Sequence, residues 1–120
     1  MSAHARNILV GYDGSEPARR ALDIAADLTG YGSTLAVVSV RATESGDATP
    51  LDHAREHLLR RQVSARYLQP VGEPAEALVA AAEELGADLV VVGRRTHGPI
   101  PGSVSRAVVR TAPCDVLVVR

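Results

Sequence analysis

Leu89–Ser105 reads LVVVGRRTHGPIPGSVS. Four apolar residues of strand length, Leu89–Val92, run into Gly93, then a short polar loop, then a helix start at Gly102-Ser103. Strand, glycine loop and helix N-terminus in that order make a natural anion pocket. Glycine lets backbone N–H groups approach a ligand closely, and the first turn of a helix leaves orphan donors with partial positive charge. Gly93 serves equally well as a tight turn after a strand, and Ser103 as the N-cap of the helix that follows.

The same grammar repeats on either side. Asn7–Tyr12 (NILVGY) is an apolar strand, and Asp13-Gly14-Ser15-Glu16-Pro17 supplies a turn, a cap and a first-turn proline. Ala18, Ala21, Leu22, Ala25 and Ala26 then fall at helical spacing, and Gly30 and Gly32 stop the helix. Thr34–Val40 is a second buried strand, and 41–50 an exposed loop. Thr49-Pro50-Leu51-Asp52 resembles a capping box that opens a helix over about Leu51–Arg61. Val63–Leu68 alternates like a strand near a sheet edge. Gly72-Glu73-Pro74 starts a helix with Ala75, Leu78, Val79, Ala82 and Leu85 on one face. Ser103–Ala112 is the last helix, ended by Pro113, and Val116–Val119 the last strand. Strands 1, 2, 4 and 5 are continuous apolar runs, as expected where helices cover both faces of a parallel sheet. The expectation is an α/β fold in one domain over 1–120. Ligands of such open sheets sit outside the carboxyl ends of the strands, where Asp13 and Gly93 both fall.

Composition removes several function classes. Net charge is −1, and Tyr12, Tyr31 and Tyr67 are the only aromatic residues, so neither a basic field nor a stacking platform for nucleic acid exists. No apolar run is long enough to span a bilayer and no signal-peptide core is present, which leads us to expect a cytoplasmic protein without a membrane role. All 13 basic residues are arginine. A P-loop lysine and Schiff-base chemistry are therefore absent, and any phosphate contact falls to arginine, backbone amides or hydroxyls. Arg94 and Arg95 can clamp a phosphate as planar forks, and His97 can donate to one. No Ser-His-Asp or Cys-His order is visible. Cys114 reads as a small apolar residue rather than a nucleophile.

Three segments, ILVGYDGSEPARRAL, VGEPAEALVAAAEELGADLVVVG and GSVSRAVVRTAPCDVLVV, together resemble the universal stress protein family and cover most of the chain. The resemblance implies an open five-stranded parallel sheet of order 3-2-1-4-5, Rossmann-like and similar to the adenine nucleotide alpha hydrolases. It also implies a stress-response module and a homodimer made through the last strand, Val116–Val119. Some members bind ATP through Gly-x2-Gly-x9-Gly-(Ser/Thr). Gly93 matches its first glycine and Gly102-Ser103 its final pair, while Asp13 matches an acidic residue near the nucleoside. Val40 matches the position whose backbone addresses adenine. The implied ligand is ATP or AMP, with Mg2+ accompanying ATP, its phosphates on the amides of Gly93, Gly102, Ser103 and Val104, and charge added by Arg95 or His97. Hydrolysis is expected to be slow or absent.

The loop departs from that motif. Thr96 stands where the second glycine belongs, with Gly98 as its stand-in after a slip of two. Gly93 to Gly102 is four residues shorter than the motif asks, and Pro99 and Pro101 remove two N–H donors. A dimeric scaffold that binds no nucleotide is the alternative reading. A third is a zinc hydrolase: His53-Ala54-Arg55-Glu56-His57 fits HxxEH, with both histidines on one helical face.

Overall fold

The computed structural model describes residues 6–30, 32–95 and 100–120. Five strands and four helices alternate: β1 (Asn7–Gly11), α1 (Glu16–Leu28), β2 (Thr34–Val38), α2 (Thr49–Arg60), β3 (Arg66–Leu68), α3 (Pro74–Leu85), β4 (Leu89–Gly93), α4 (Ser103–Thr111) and β5 (Asp115–Val119). The sheet has the order β3-β2-β1-β4-β5, every pair parallel, as the resemblance implies. The chain steps outward from β1 through β2 to β3, then crosses to the other side of β1 for β4 and β5. With right-handed crossovers, that reversal puts α1 and α2 on one face and α3 and α4 on the other.

Each central strand feeds both layers. Ile8 and Val10 join Leu35, Val37 and Val91 under Ala21, Leu22 and Ala25 of α1 and Leu51, Ala54 and Leu58 of α2. Leu9 joins Val38, Val90 and Val92 under Ala75, Leu78 and Ala82 of α3 and Val108 of α4. Two-sided burial is why these strands lack alternation. β5 shares it only in part: Val116 and Val118 are partly buried and Val119 is buried on the α1 side, but Leu117, on the same face as Val119, is exposed, so the last strand is an edge strand that is incompletely covered.

Two helix starts differ from expectation. Thr49 does not cap α2. The cap position is Ala48, which makes no side-chain bond, and the Thr49 amide instead donates to Asp47 Oδ1 at 2.9 Å. Hydrogen bonding from the Thr49 side chain and amide holds the Asp47 carboxyl below its ordinary pKa. Nor does Ser103 cap α4, where Gly102 occupies the cap and Ser103 is the first helical residue. At α3, Glu73 does cap, accepting from the amides of Ala75 and Glu76 at 3.3 and 3.1 Å.

Candidate functional site

The strand reversal beside β1 opens a cleft of about 410 Å³ at the carboxyl ends of β1, β2 and β4. Gly11, Val38, Val92 and Leu78 are among the residues that form its apolar floor. Asp13, Val40 and Arg95 stand on its rim, and Gly102, Ser103, Val104 and Ser105 bring the first turn of α4 against it. Asp13, Val40, Gly93, Arg95, Gly102, Ser103 and Val104 all line this one cleft. His97 and Gly98 lie outside the described residues.

Backbone direction explains the position of Val40. Ser39 and Arg41 donate their amides to Leu68 and Pro70 at 3.0 and 2.9 Å, on the β3 side. Alternate residues of a strand address opposite neighbours, so the N–H and C=O of Val40 turn towards β1. The last amide on that side is Tyr12 N–H, bonded to the Val38 carbonyl at 2.9 Å, after which the β1 chain leaves the sheet. Beyond it the Val40 backbone presents a donor and an acceptor to the cleft. That is the pattern needed to read the edge of a heteroaromatic ring.

Asp13 is held in place. Its Oδ1 accepts from the amide of Ser15 at 2.9 Å and from the Ser15 hydroxyl at 2.6 Å, and its Oδ2 faces Arg95 Nε at 3.5 Å. Ser15 does the capping of α1, its Oγ accepting from Ala18 N–H at 3.3 Å. Ser15 thus relieves Asp13 of the cap but does not free it, because the same serine leans on the carboxylate. The Arg95 pair is solvent-exposed on both sides, worth under ~1 kcal/mol, and a ligand can exchange it at little cost.

The two glycines differ in their reasons. A Cβ on Gly93 would stand 2.5 Å from the Pro17 carbonyl carbon and 2.6 Å from the Ala18 nitrogen. Gly93 is therefore set by the close approach of α1, and this packing decides its residue type. Gly102 has φ +74°, a left-handed conformation, and a Cβ there would meet Arg94 Nε at 2.9 Å. Its cap leaves the first turn of α4 without side-chain partners. Ser103 N–H is bonded to the Ile100 carbonyl at 3.2 Å, which engages one of the expected phosphate amides, while Val104 and Ser105 follow it on the cleft wall. Ser105 was not picked out from the sequence. It is buried, donating its hydroxyl to the Gly102 carbonyl at 3.1 Å, and its signal was a polar residue three positions before the buried Val108. Arg94 folds over Gly102 and does not line the cleft.

The HxxEH helix lies elsewhere. His57 Nε2 is 2.6 Å from Asp23 Oδ1, and Arg61 takes Asp23 and Asp27, so α2 is tied to α1 by an ion-pair network. Among the described residues no group of three His, Cys, Asp or Glu side chains gathers to hold a metal ion. His57 thus belongs to a helix–helix contact, and among the described residues no third ligand joins the two histidines. Cys114 packs partly buried against the α3–α4 layer; burial and the nearby Asp115 and Asp88 push its thiol up from the ordinary value, away from thiolate chemistry. Among the described residues no helix is long and apolar enough to cross a membrane.

Comparison with known proteins gives a consistent result. The model of the universal stress protein family matches residues 4–120. A universal stress protein of Thermus aquaticus is 35% identical over 135 aligned positions, covering 96% of this chain and 98% of the relative. One from Mycobacterium tuberculosis is 31% identical over 144 positions, covering 99% and 98%. Those 144 positions exceed the 120 residues of this chain, so the relative is longer within the shared region. Among solved structures, a universal stress protein in complex with cAMP superimposes with a TM-score of 0.79 at 30% identity, covering 97% of both chains.

Proposed function

We propose that this chain, which belongs to the universal stress protein family, is a stress-response module that binds an adenine nucleotide in the cleft over β1, β2 and β4. The observation that carries the reading is the arrangement of that cleft. A backbone donor and acceptor at Val40 face its nucleoside end, and an uncapped helix start faces its other end. Adenine would lie against Val40, the ribose hydroxyls near Asp13, and phosphate on the Val104 and Ser105 amides with Arg95 and the Ser103 hydroxyl beside them. Gly93 and Gly102 shape the walls. The cAMP complex of a relative at 30% identity supports the same ligand class.

The module binds rather than turns over. Asp13 is the one carboxylate lining the cleft among the described residues and its Oδ2 faces Arg95, so no carboxylate pair for Mg2+ gathers there and slow hydrolysis at most is expected. The unpaired thiol of Cys114 suits a reducing cytoplasm. Calorimetry with ATP, AMP and cAMP on the full chain tests the reading. Binding at micromolar to millimolar ligand is expected, and absence of heat and of any thermal shift at millimolar concentration would overturn it, leaving the scaffold alternative.

A homodimer through β5 accompanies this proposal. The favouring observation is the open edge: Leu117 is exposed on β5 and Val109 on α4, and an uncovered edge strand is a template for pairing. Sedimentation at tens of micromolar is expected to give a dimer, and Leu117→Arg a monomer. A wild-type monomer would refute the pairing.

A further inference from the structure

Val40 can read a ring only if its backbone is held still, and β1 does not hold it. The N–H and C=O on that side are the pair turned to the cleft. We infer that Arg41 positions this backbone and through it sets a preference for adenine over a purine with the opposite hydrogen-bonding edge; the inference rests on the nucleotide reading above.

The hold has to come from the β3 side, and the ladder there is incomplete. Ser39 N–H reaches the Leu68 carbonyl at 3.0 Å. The next rung of a parallel ladder would run from position 70 back to the Ser39 carbonyl, but Pro70 has no N–H to give. Two rungs follow Val40, and both belong to Arg41. Its N–H donates to the Pro70 carbonyl and its carbonyl accepts from Gly72 N–H, each at 2.9 Å. They lie past Val38 and Leu68, the last paired residues of the regular strands, as an isolated bridge between Arg41 and Val71.

The side chain fastens what the backbone begins. Arg41 Nη1 donates to the Glu44 carbonyl at 2.8 Å, and Gly46 N–H closes a turn onto the Thr43 carbonyl at 2.9 Å. Gly46 rests against the arginine stem: a Cβ there would stand 3.0 Å from Arg41 Cβ and 3.1 Å from the Thr43 carbonyl oxygen. Ala42, in the same loop, lines the cleft. Stability alone does not account for a guanidinium at this place. Its Nε is buried with no hydrogen-bond partner among the described residues, as is Nε2 of Gln69 just beyond β3. A buried unpaired donor costs about 1–3 kcal/mol, and methionine would keep the stem contacts without it. What methionine would lose is the bond to Glu44, one residue from the backbone that reads the ring.

An adenine edge offers an acceptor at N1 and a donor at its amino group, matching the N–H and C=O of Val40. Hypoxanthine offers the reverse, N1–H and a carbonyl oxygen, so a fixed peptide rejects it and a loose one discriminates less. Calorimetry on the full chain with AMP and IMP tests the assignment. The wild type should favour AMP at least about tenfold. Arg41→Met should cut that ratio to within about threefold by weakening AMP, with IMP unchanged within about twofold. Arg41→Lys, which keeps a donor on the stem, should recover part of the ratio. An unchanged ratio in Arg41→Met, or equal weakening of both nucleotides, would overturn the positioning role. Equal wild-type affinity for AMP and IMP would also overturn it while leaving nucleotide binding intact, whereas silence towards both would remove the parent reading. Should Arg41→Met fail to fold, Gly46→Ala presses on the same stem and carries the test: a lowered ratio supports the role of Arg41, and a wild-type ratio overturns it.

Discussion

Two helices begin on the same rim of this sheet, each after a central strand, and they begin differently. α1 follows β1 and is closed at once. Ser15 caps it, Asp13 holds Ser15, and Gly93 lets the backbone of Pro17 and Ala18 press against β4. α4 follows β4 and is left open, its cap a left-handed glycine with no side chain to give and its second and third amides facing a cleft. A helix start that satisfies itself is architecture. One that does not is satisfied by water or by a ligand. The difference marks which of the two starts the proposed anion would use, although both segments carry the glycine and serine that a phosphate loop would use.

Substitutions at the two starts put that contrast at risk. The largest effect is expected at Gly93, where alanine drives a methyl group into the α1 backbone. Gly93→Ala should cost about 2–3 kcal/mol in denaturant unfolding, and a loss below measurement error would show that α1 is not closed against β4. Gly102→Val comes next. It should lower stability by about 1–2 kcal/mol through the left-handed backbone and weaken nucleotide binding more than tenfold in a protein that still folds; unchanged affinity would remove α4 from the site. The finest test compares the serines. Ser15→Ala should cost about 1 kcal/mol as a lost cap, whereas Ser103→Ala should move stability by less than about 0.5 kcal/mol. Equal losses would erase the distinction.

Much of the site was legible because its signals are local. A strand that ends in Gly93, a loop, and Gly102-Ser103 opening a helix can be read from spacing alone, as can Asp13 after the first strand. The capping box at Thr49 misled because Asp47, two residues earlier, bonds the same amide. Ser15 and Asp13 could not be ranked from sequence, since both suit a cap and only their mutual geometry shows that one supports the other. The HxxEH pattern could not show its partner for a related reason: His57 finds Asp23 on a different helix, 34 residues away.

By itself the sequence determined the alternation of strands and helices, the two-sided burial of the central strands and the rim on which a ligand would sit. These follow from periodicity, apolar runs and turn chemistry within a few residues of one another. Only the tertiary structure decided that Gly93 is required by the backbone of α1, that β5 leaves Leu117 exposed, and that Asp13 and Ser103 are engaged by Ser15 and Ile100. Those outcomes depend on which groups meet across the fold, and a hydrogen-bonding group is free for function only after its distant and near neighbours have made their own bonds.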